Sequence, residues 1–219
     1  MPGMKPKEKV RRIWSPELAY AVGLMATDGC LSSDGRHFDF TSKDQEQLRN
    51  LLRCLGIKNK IGRKISGYSG RFYPRIQFGD VKFYRFLLGI GLTPAKSKTI
   101  GAIDIPGLYF FDYLRGAFDG DGTFFSYWDP RWKASFMFYT AFISASREHI
   151  DWIRGELKRR LKIRGHIIYG GKKATYNLKY AKSESLKILP RMYYGERVVC
   201  LKRKRLKIEK ALSIIGATL

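Results

Sequence analysis

The chain has 219 residues, of which 42 are Lys or Arg and 19 are Asp or Glu, so its formal net charge is +23. That length suits one large domain or two small ones. A hydrophobic content of 44% excludes a disordered chain, and no apolar run approaches the ~18 residues of a membrane span. The first residues contain no apolar segment typical of a secretory signal, so we expect an intracellular protein with no membrane partner.

The charge distribution indicates the class of partner, and the cysteines indicate which kinds of site to exclude. Residues 1–109 hold 19 basic and 9 acidic residues, and residues 110–219 hold 23 and 10. A chain that is basic in both halves predicts a polyanionic partner, most commonly nucleic acid. Cys30, Cys54 and Cys200 are odd in number and far apart, which argues against a disulfide framework and a cysteine-based zinc site.

The first half reads in chain order as helix, two strands, helix, two strands, helix. Ser15 and Pro16 are typical of a helix start, and the apolar helix that follows ends at Asp28 and Gly29, where Gly29 suits a left-handed cap. Alternating patterns predict the strands, and an amphipathic pattern with a Gly stop predicts the middle helix. The remaining elements are a hairpin over 30–42, a helix over 44–56, a hairpin over 59–79 with its turn at 66–70, and a helix that starts near Asp80.

The same order of elements repeats in the second half. Its predicted elements are an apolar helix over 110–118, a hairpin over 123–143, a helix over 146–161, a hairpin with its turn at 169–173, and terminal helices. We therefore predict an α+β fold of two pseudo-symmetric αββαββα halves with antiparallel sheets. The predicted division is a basic N-terminal arm at 1–14, a first half at 15–100, a linker at 101–109 and a second half at 110–219.

Each half opens with a helix that ends in Asp-Gly. The two copies, Ala21–Gly29 and Leu114–Gly122, resemble the motif of the LAGLIDADG homing endonucleases of the single-chain, two-motif kind. The second copy is the closer match, because the first has Ala26 where the motif's earlier, non-catalytic Asp would stand. The resemblance covers nearly the whole chain. It implies that the motif helices pack at a central interface and that the two sheets form a DNA-binding saddle.

Physical chemistry supports the same arrangement of the motif helices. Ala19, Gly23 and Thr27 recur every four residues, as do Gly116 and Gly120, and small residues at this spacing let two helices approach closely. Such packing would bring Asp28 and Asp121 together at two helix C-termini, where a divalent cation relieves the accumulated negative charge. Hard oxygen ligands favour Mg²⁺ as the cofactor, with Mn²⁺ as a substitute.

The resemblance also implies further active-site groups. In the family, the carbonyl of the residue before each Asp binds metal, which points here to Thr27 and Gly120. A polar residue before the second helix of each half and a lysine near the end of each half complete the family's sites. The matching residues are Ser42 and Ser144, for which plain helix capping is the alternative role, and Lys96 and Lys204, with Lys98 and Lys202 as register alternatives.

The basic, alternating hairpin faces supply candidates for contacts with base edges and phosphates in the major groove. The residues predicted to bind DNA are Arg36, Lys64, Arg71, Tyr73, Arg75 and Gln77 in the first half, and Thr175, Asn177 and Lys179 in the second.

The function predicted from these features is a site-specific homing endonuclease. It would act as a monomer and make double-strand breaks in a long, non-palindromic DNA target by metal-dependent phosphodiester hydrolysis. The alternative is a maturase with the same fold, whose partner is an intron RNA and which assists splicing. A basic RNA-binding protein without catalysis is a third class, which the paired helix-Asp-Gly motifs disfavour. His37, His149 and His166 occur singly without ligand spacing, which argues against a histidine-based nuclease.

Overall fold

The computed structural model describes residues 8–65, 67, 70–132, 134–171 and 174–219, so the predicted turns at 66–70 and 169–173 lie partly outside the described residues. The predicted fold class is confirmed: among these residues, seven α-helices accompany two four-stranded antiparallel sheets. None of the helices in the described part of the chain combines the length and apolar character needed to cross a membrane.

The first half follows the predicted order of elements. Its elements are α1 (Pro16–Thr27), β1 (Gly29–Leu31), β2 (His37–Thr41), α2 (Gln45–Leu55), β3 (Gly62–Ile65), β4 (Phe72–Gly79) and α3 (Val81–Gly89). The side chains of Ser15, Asp44 and Asp80 cap the three helices at their N-termini, which satisfies backbone N–H groups in the first turn. Asp80 also accepts hydrogen bonds from the backbone of Lys9 and Val10, so this part of the N-terminal arm is held against α3.

The second half repeats this order and adds one helix. Its elements are α4 (Phe110–Gly120), β5 (Thr123–Trp128), β6 (Phe136–Ser144), α5 (Arg147–Leu161), β7 (His166–Tyr169), β8 (Tyr176–Tyr180), α6 (Lys182–Met192) and α7 (Lys202–Ile214). At the corresponding place in the first half, after α3, the chain forms only a short 3-10 turn over Lys96–Lys98.

The two sheets have the same topology. Their strand orders are β1-β2-β4-β3 and β5-β6-β8-β7, and all neighbouring strands run antiparallel. In the first sheet Phe38 pairs with Phe78, and both side chains are buried beneath the helices. In the second sheet Phe142 pairs with Leu178, and both are buried in the second core. Each sheet therefore packs its helices on one face and leaves the other face open.

Close packing of α1 against α4 joins the two halves. A Cβ on Gly116 would overlap the backbone carbonyl of Tyr20, and one on Gly23 would lie 2.7 Å from the backbone nitrogen of Ala117. Glycine is therefore required at the crossing point, as the small-residue spacing predicts. A Cβ on Gly120 would overlap the side chain of Thr27, so the C-terminal ends of the two helices also meet.

One local prediction is wrong. Gly29 is not a left-handed helix cap. Asp28 caps α1 with right-handed backbone angles (φ −88°, ψ −10°), and Gly29 starts β1. A Cβ on Gly29 would lie 2.7 Å from the Met25 carbonyl, so the glycine is needed for close approach rather than for its backbone angle.

Candidate functional site

Asp28 and Asp121 occupy equivalent positions at the C-termini of the two motif helices. The Asp28 N–H donates to Leu24 O at 3.0 Å, and the Asp121 N–H donates to Ala117 O at 3.2 Å, which continues each helix by one bond. Burial raises the pKa of Asp28 to about 6, and the negative charge of Asp121 adds to the rise. Surrounding protein also raises the pKa of Asp121, although its side chain stays open to solvent on one side. Because two neighbouring carboxylates repel each other, binding of a cation beside them is favourable.

Each carboxylate lies in a cleft built by both halves of the chain. A cleft of about 620 Å³ contains Asp28 together with Gly120, the residue that precedes the other aspartate. A narrower cleft of about 190 Å³ contains Asp121 together with Thr27, which precedes Asp28. The structure thus provides two pseudo-equivalent centres, and neither centre is complete without residues from the opposite half.

A buried lysine reaches the backbone beside each aspartate. Lys96 donates from Nζ to the carbonyl of Gly29, the residue after Asp28. Lys204 donates to the carbonyl of Gly122, the residue after Asp121, at 2.6 Å. It also lies 2.9 Å from the carbonyl of Asp119 and 3.4 Å from that of Gly120.

Burial shifts both ammonium groups in the same direction. It lowers the pKa of Lys204 to about 8 and lowers the pKa of Lys96, while the nearby aspartates oppose both changes. The register alternatives Lys98 and Lys202 are exposed to solvent instead. Of the four lysines considered, only Lys96 and Lys204 therefore adjoin the aspartates.

The two centres differ in the side chain that the second helix of each half supplies. In the first half, Gln47 donates from Nε2 to Asp28 Oδ2 at 2.8 Å, and Ser42 Oγ donates to Gln47 Oε1 at 2.6 Å. Ser42 thus orients Gln47 rather than touching the carboxylate itself. Gln47 was not among the residues predicted from the sequence, which here included only Ser42, before the helix. Its position three residues after the cap Asp44, one helical turn into α2, was the available signal.

The equivalent position in the second half holds His149, three residues after the cap Ser146. Its ring does not hydrogen-bond to Asp121. Nδ1 lies 2.7 Å from Gly101 O, and Nε2 lies 3.0 Å from the Tyr113 hydroxyl. Burial lowers the pKa of His149 to about 4, so the ring is neutral near pH 7. Ser144 lines the Asp121 cleft and accepts from the backbone N–H of Ser146 at 3.1 Å.

The available donors suit a hard cation. In the described part of the chain, no three His, Cys, Asp or Glu side chains cluster closely enough to hold a metal through side chains alone. One cleft contains the Asp28 carboxylate with Gly120 and the other contains the Asp121 carboxylate with Thr27, so carboxylate and backbone carbonyl oxygens are the ligands on offer. Oxygen donors at mutually repelling carboxylates fit Mg²⁺ and Mn²⁺ better than zinc.

The residues predicted to bind DNA mostly lie on or beside the open sheet faces. Strand register places Lys64, Tyr73, Arg75 and Gln77 on the open face of the first sheet, and Asn177 and Lys179 on that of the second. Arg36 lies in the turn before β2, Arg71 is exposed before β4, and Thr175 lines the Asp121 cleft. Arg75 pairs with Asp39 across the sheet, an ion pair that was not predicted from the sequence.

Comparison with solved structures identifies the fold. No protein-family model matches the sequence, and no curated protein matches it significantly. Full-length DUF199/WhiA from Thermatoga maritima superposes with a TM-score of 0.59 at 16% identity, over 95% of this chain and 64% of that chain. This chain therefore spans less than two thirds of that protein.

Two homing endonuclease structures match this chain over most of their own length as well. I-WcaI bound to its DNA recognition sequence gives a TM-score of 0.59 at 13% identity, over 94% of this chain and 95% of its own. A variant of I-DmoI in complex with its target DNA and in the presence of Mn gives 0.51 at 15% identity, over 83% and 95%. At these identities the likeness establishes the fold, which is that of the LAGLIDADG proteins in their single-chain, two-motif form.

Proposed function

We propose that this chain, which has the LAGLIDADG fold, is a monomeric, site-specific DNA endonuclease that cuts both strands of a long, non-palindromic duplex. The observation that carries the proposal is the pairing of Asp28 and Asp121 at adjacent helix ends. Each sits in a cleft that the other half completes, so a single chain holds two centres. Two centres related by pseudo-symmetry match the two strands of a duplex, which are themselves related by symmetry.

The proposed chemistry is phosphodiester hydrolysis with Mg²⁺ or Mn²⁺ held by Asp28, Asp121 and the carbonyls of Thr27 and Gly120. When bound, the cation supplies charge that stabilises the phosphate oxygens as negative charge builds on them. Lys96 and Lys204 place ammonium groups beside the two aspartates, where they add positive charge for the same oxygens. Gln47 orients the Asp28 carboxylate through its amide.

The proposed DNA contacts use the open faces of both sheets as one saddle. The halves 15–100 and 110–219, joined through 101–109, each supply one sheet. The net charge of +23 supports binding to phosphates, which holds the duplex without reading its sequence. Side chains on the open faces, among them Lys64, Gln77 and Asn177, would contact base edges in the major groove.

The test is cleavage of a randomised duplex library by the full chain in Mg²⁺, followed by sequencing of the broken ends. We expect one recurrent, non-palindromic sequence to be cut and no cleavage in EDTA. Asp28→Asn and Asp121→Asn should each reduce double-strand cleavage by roughly a thousandfold or more, because each change removes several kcal/mol of charge stabilisation.

Binding should survive in both variants, since a lost carboxylate also lessens repulsion of phosphates. Asp151→Asn, an exposed carboxylate on α5 that pairs with Arg147, is the matched control and should cut normally. Full cleavage by either centre variant, or undiminished cutting in EDTA, would overturn the proposal. Tight binding of an intron RNA with no cutting of any duplex would favour the maturase function instead.

A further inference from the structure

The open faces of the two sheets differ in chemistry. Strand register places His37, Asp39, Thr41, Lys64, Tyr73, Arg75 and Gln77 on the first, and every one of these side chains carries a polar group. The open face of the second sheet is largely apolar and aromatic. It carries Phe125, Tyr127, Met137, Tyr139, Ile143 and Ile168 around Asn177, Lys179 and His166. Tyr127 is 41% exposed and Ile168 is 39% exposed, so this apolar surface is accessible.

Three aromatic rings on this face lie nearly parallel to one another. Tyr139 stacks on Phe125 with centroids 5.1 Å apart and an interplanar angle of 14°, and on Tyr127 at 6.4 Å and 7°. Lys179 Nζ lies over the Phe125 ring, 5.7 Å from its centroid. Rings that stack in this way present their edges outward. A cleft of about 510 Å³ adjoins them, lined also by His166 and Ile168.

A surface of this kind fits one feature of duplex DNA. In the major groove the only apolar group on any of the four ordinary bases is the C5 methyl group of thymine. We propose that the second sheet reads its half-site through thymine methyl groups, so that this half-site is rich in A·T pairs and the other is not. Asn177, on the same face, has the amide that pairs with the adenine edge. The inference rests on the proposed function and specifies its substrate.

The ring geometry favours duplex DNA over single-stranded RNA. A platform for unpaired bases needs an exposed ring face on which each base can stack. Here Tyr139 stacks on Phe125, Lys179 lies over the Phe125 ring, and Tyr127 lies nearly parallel to Tyr139, so these rings offer less open face than such a platform needs. The adjoining cleft is lined by Lys179 and Arg164 together with Glu184, and the two basic groups complement phosphates.

The experiment uses the duplex selected by the full chain from the random library. Thymines in one half-site at a time are replaced by deoxyuridine, which removes only the methyl group, and binding is measured by titration. We expect affinity to fall about fourfold for each contacted methyl group in the half-site over the second sheet. The same replacement in the other half-site should change affinity less than twofold.

Two variants of Tyr127 test whether the loss of affinity caused by deoxyuridine depends on this face. Tyr127→Ser should abolish part of the deoxyuridine penalty, whereas Tyr127→Phe should keep it. Tyr73→Ser, on the open face of the first sheet, is the matched control and should leave the second half-site penalty intact. Circular dichroism verifies that each variant is folded.

The outcomes separate this inference from the function it rests on. Equal penalties in the two half-sites, or a penalty unchanged by Tyr127→Ser, would overturn the inference while leaving the endonuclease intact. Recovery of no duplex at all would overturn both. Stronger binding of single-stranded uridine-rich RNA than of the selected duplex would show that the aromatic face serves RNA.

Discussion

At the scale of single residues, the two centres are alike in their aspartates and lysines and unlike in one supporting side chain. Gln47 holds Asp28, while His149 at the equivalent position turns to Gly101 and Tyr113. A carboxylate that an amide already holds in place needs less reorganisation to bind a metal than a carboxylate that is free to move. The two strands of a bound duplex should therefore be cut at different rates.

The first prediction tests this asymmetry with Gln47→Leu, which keeps the volume and removes the amide. We expect cleavage of the strand served by Asp28 to slow by roughly tenfold to a hundredfold, because outer-shell groups of metal sites contribute on that scale. The other strand should be cut at nearly its normal rate, so a nicked duplex accumulates. Strand-specific end labels measure both rates.

Gln45→Leu provides the control for that experiment. Gln45 lies on the same helix but is exposed and bonds only Arg49 within the described residues. It should leave both rates unchanged. Equal slowing of the two strands by Gln47→Leu would show that the centres do not act separately.

The second prediction concerns the neutral ring of His149 and the pH dependence of stability. Burial, helped by the positive charge of Lys96, lowers its pKa to about 4, against about 6.5 in an unfolded chain. As the pH falls below 6.5, His149 takes up a proton in the unfolded state but stays neutral in the folded state. The stability contributed by His149 is therefore present at pH 7 and lost on acidification, by about 2 kcal/mol at pH 5.

Urea unfolding at pH 7 and pH 5 of the wild type and of His149→Gln measures this loss as a difference. The comparison is necessary because burial raises the pKa of Asp28 and of Asp119 to about 6, and such groups stabilise the folded state as the pH falls. We expect the wild type to lose about 2 kcal/mol more than the variant. Parallel curves would contradict the assignment of a buried neutral ring.

At the scale of secondary-structure elements, the crossing of α1 and α4 sets the geometry of both centres. The backbones meet at Gly23 and Gly116, with no room for a side chain. Near the helix ends, Asp119 accepts from Tyr20 OH at 2.8 Å and from Leu201 N–H at 2.6 Å, which ties α4 both to α1 and to the start of α7. The hydrogen bond to Leu201 positions α7, the helix that carries Lys204. The motif's earlier aspartate thus has a structural role here.

The third prediction compares the same substitution in two helices. Gly116→Ala should destabilise the protein by about 3 kcal/mol, because the added methyl group meets backbone that cannot move aside. Gly155→Ala, in the middle of α5, should stabilise it by about 0.5–1 kcal/mol, because its Cβ meets open space and alanine favours a helix. Thermal and urea unfolding should therefore give shifts of opposite sign, and shifts of the same sign would count against the close crossing.

At the scale of the whole molecule, one chain supplies both halves of the candidate site. Both aspartates, both lysines and both sheets lie in a single chain with a net charge of +23. The open faces of the sheets carry different side chains, so the two halves of a target should differ in sequence.

The fourth prediction is that one protein molecule binds one duplex. Sedimentation of the complex should give a 1:1 stoichiometry, and the recovered target should lack a palindrome. Affinity should fall steeply and linearly on a log–log plot as salt rises, because neutralised phosphates release counterions. A complex with two protein molecules on a palindromic site would contradict both the single-chain centre and the division of the target between unlike sheets.

The sequence by itself determined the order of elements, the repeat and the positions of both aspartates. These follow from local rules: Ser15, Asp44 and Asp80 cap helices, Gly56 with φ 65° ends α2, and alternation fixes which strand face is buried. Such signals depend on neighbours within a few residues along the chain, so they can be read without knowing the fold.

Only the tertiary structure decided how distant residues combine. Gln47 meets Asp28, Lys96 reaches Gly29, and Arg75 pairs with Asp39, all through contacts between separate elements, and the local sequence does not specify which partner each side chain meets. The same holds for His149, which the sequence showed only as an isolated histidine and which packing turns away from Asp121. A side chain's partner depends on helix crossing and strand register, and those are set by packing of the whole chain rather than by adjacent residues.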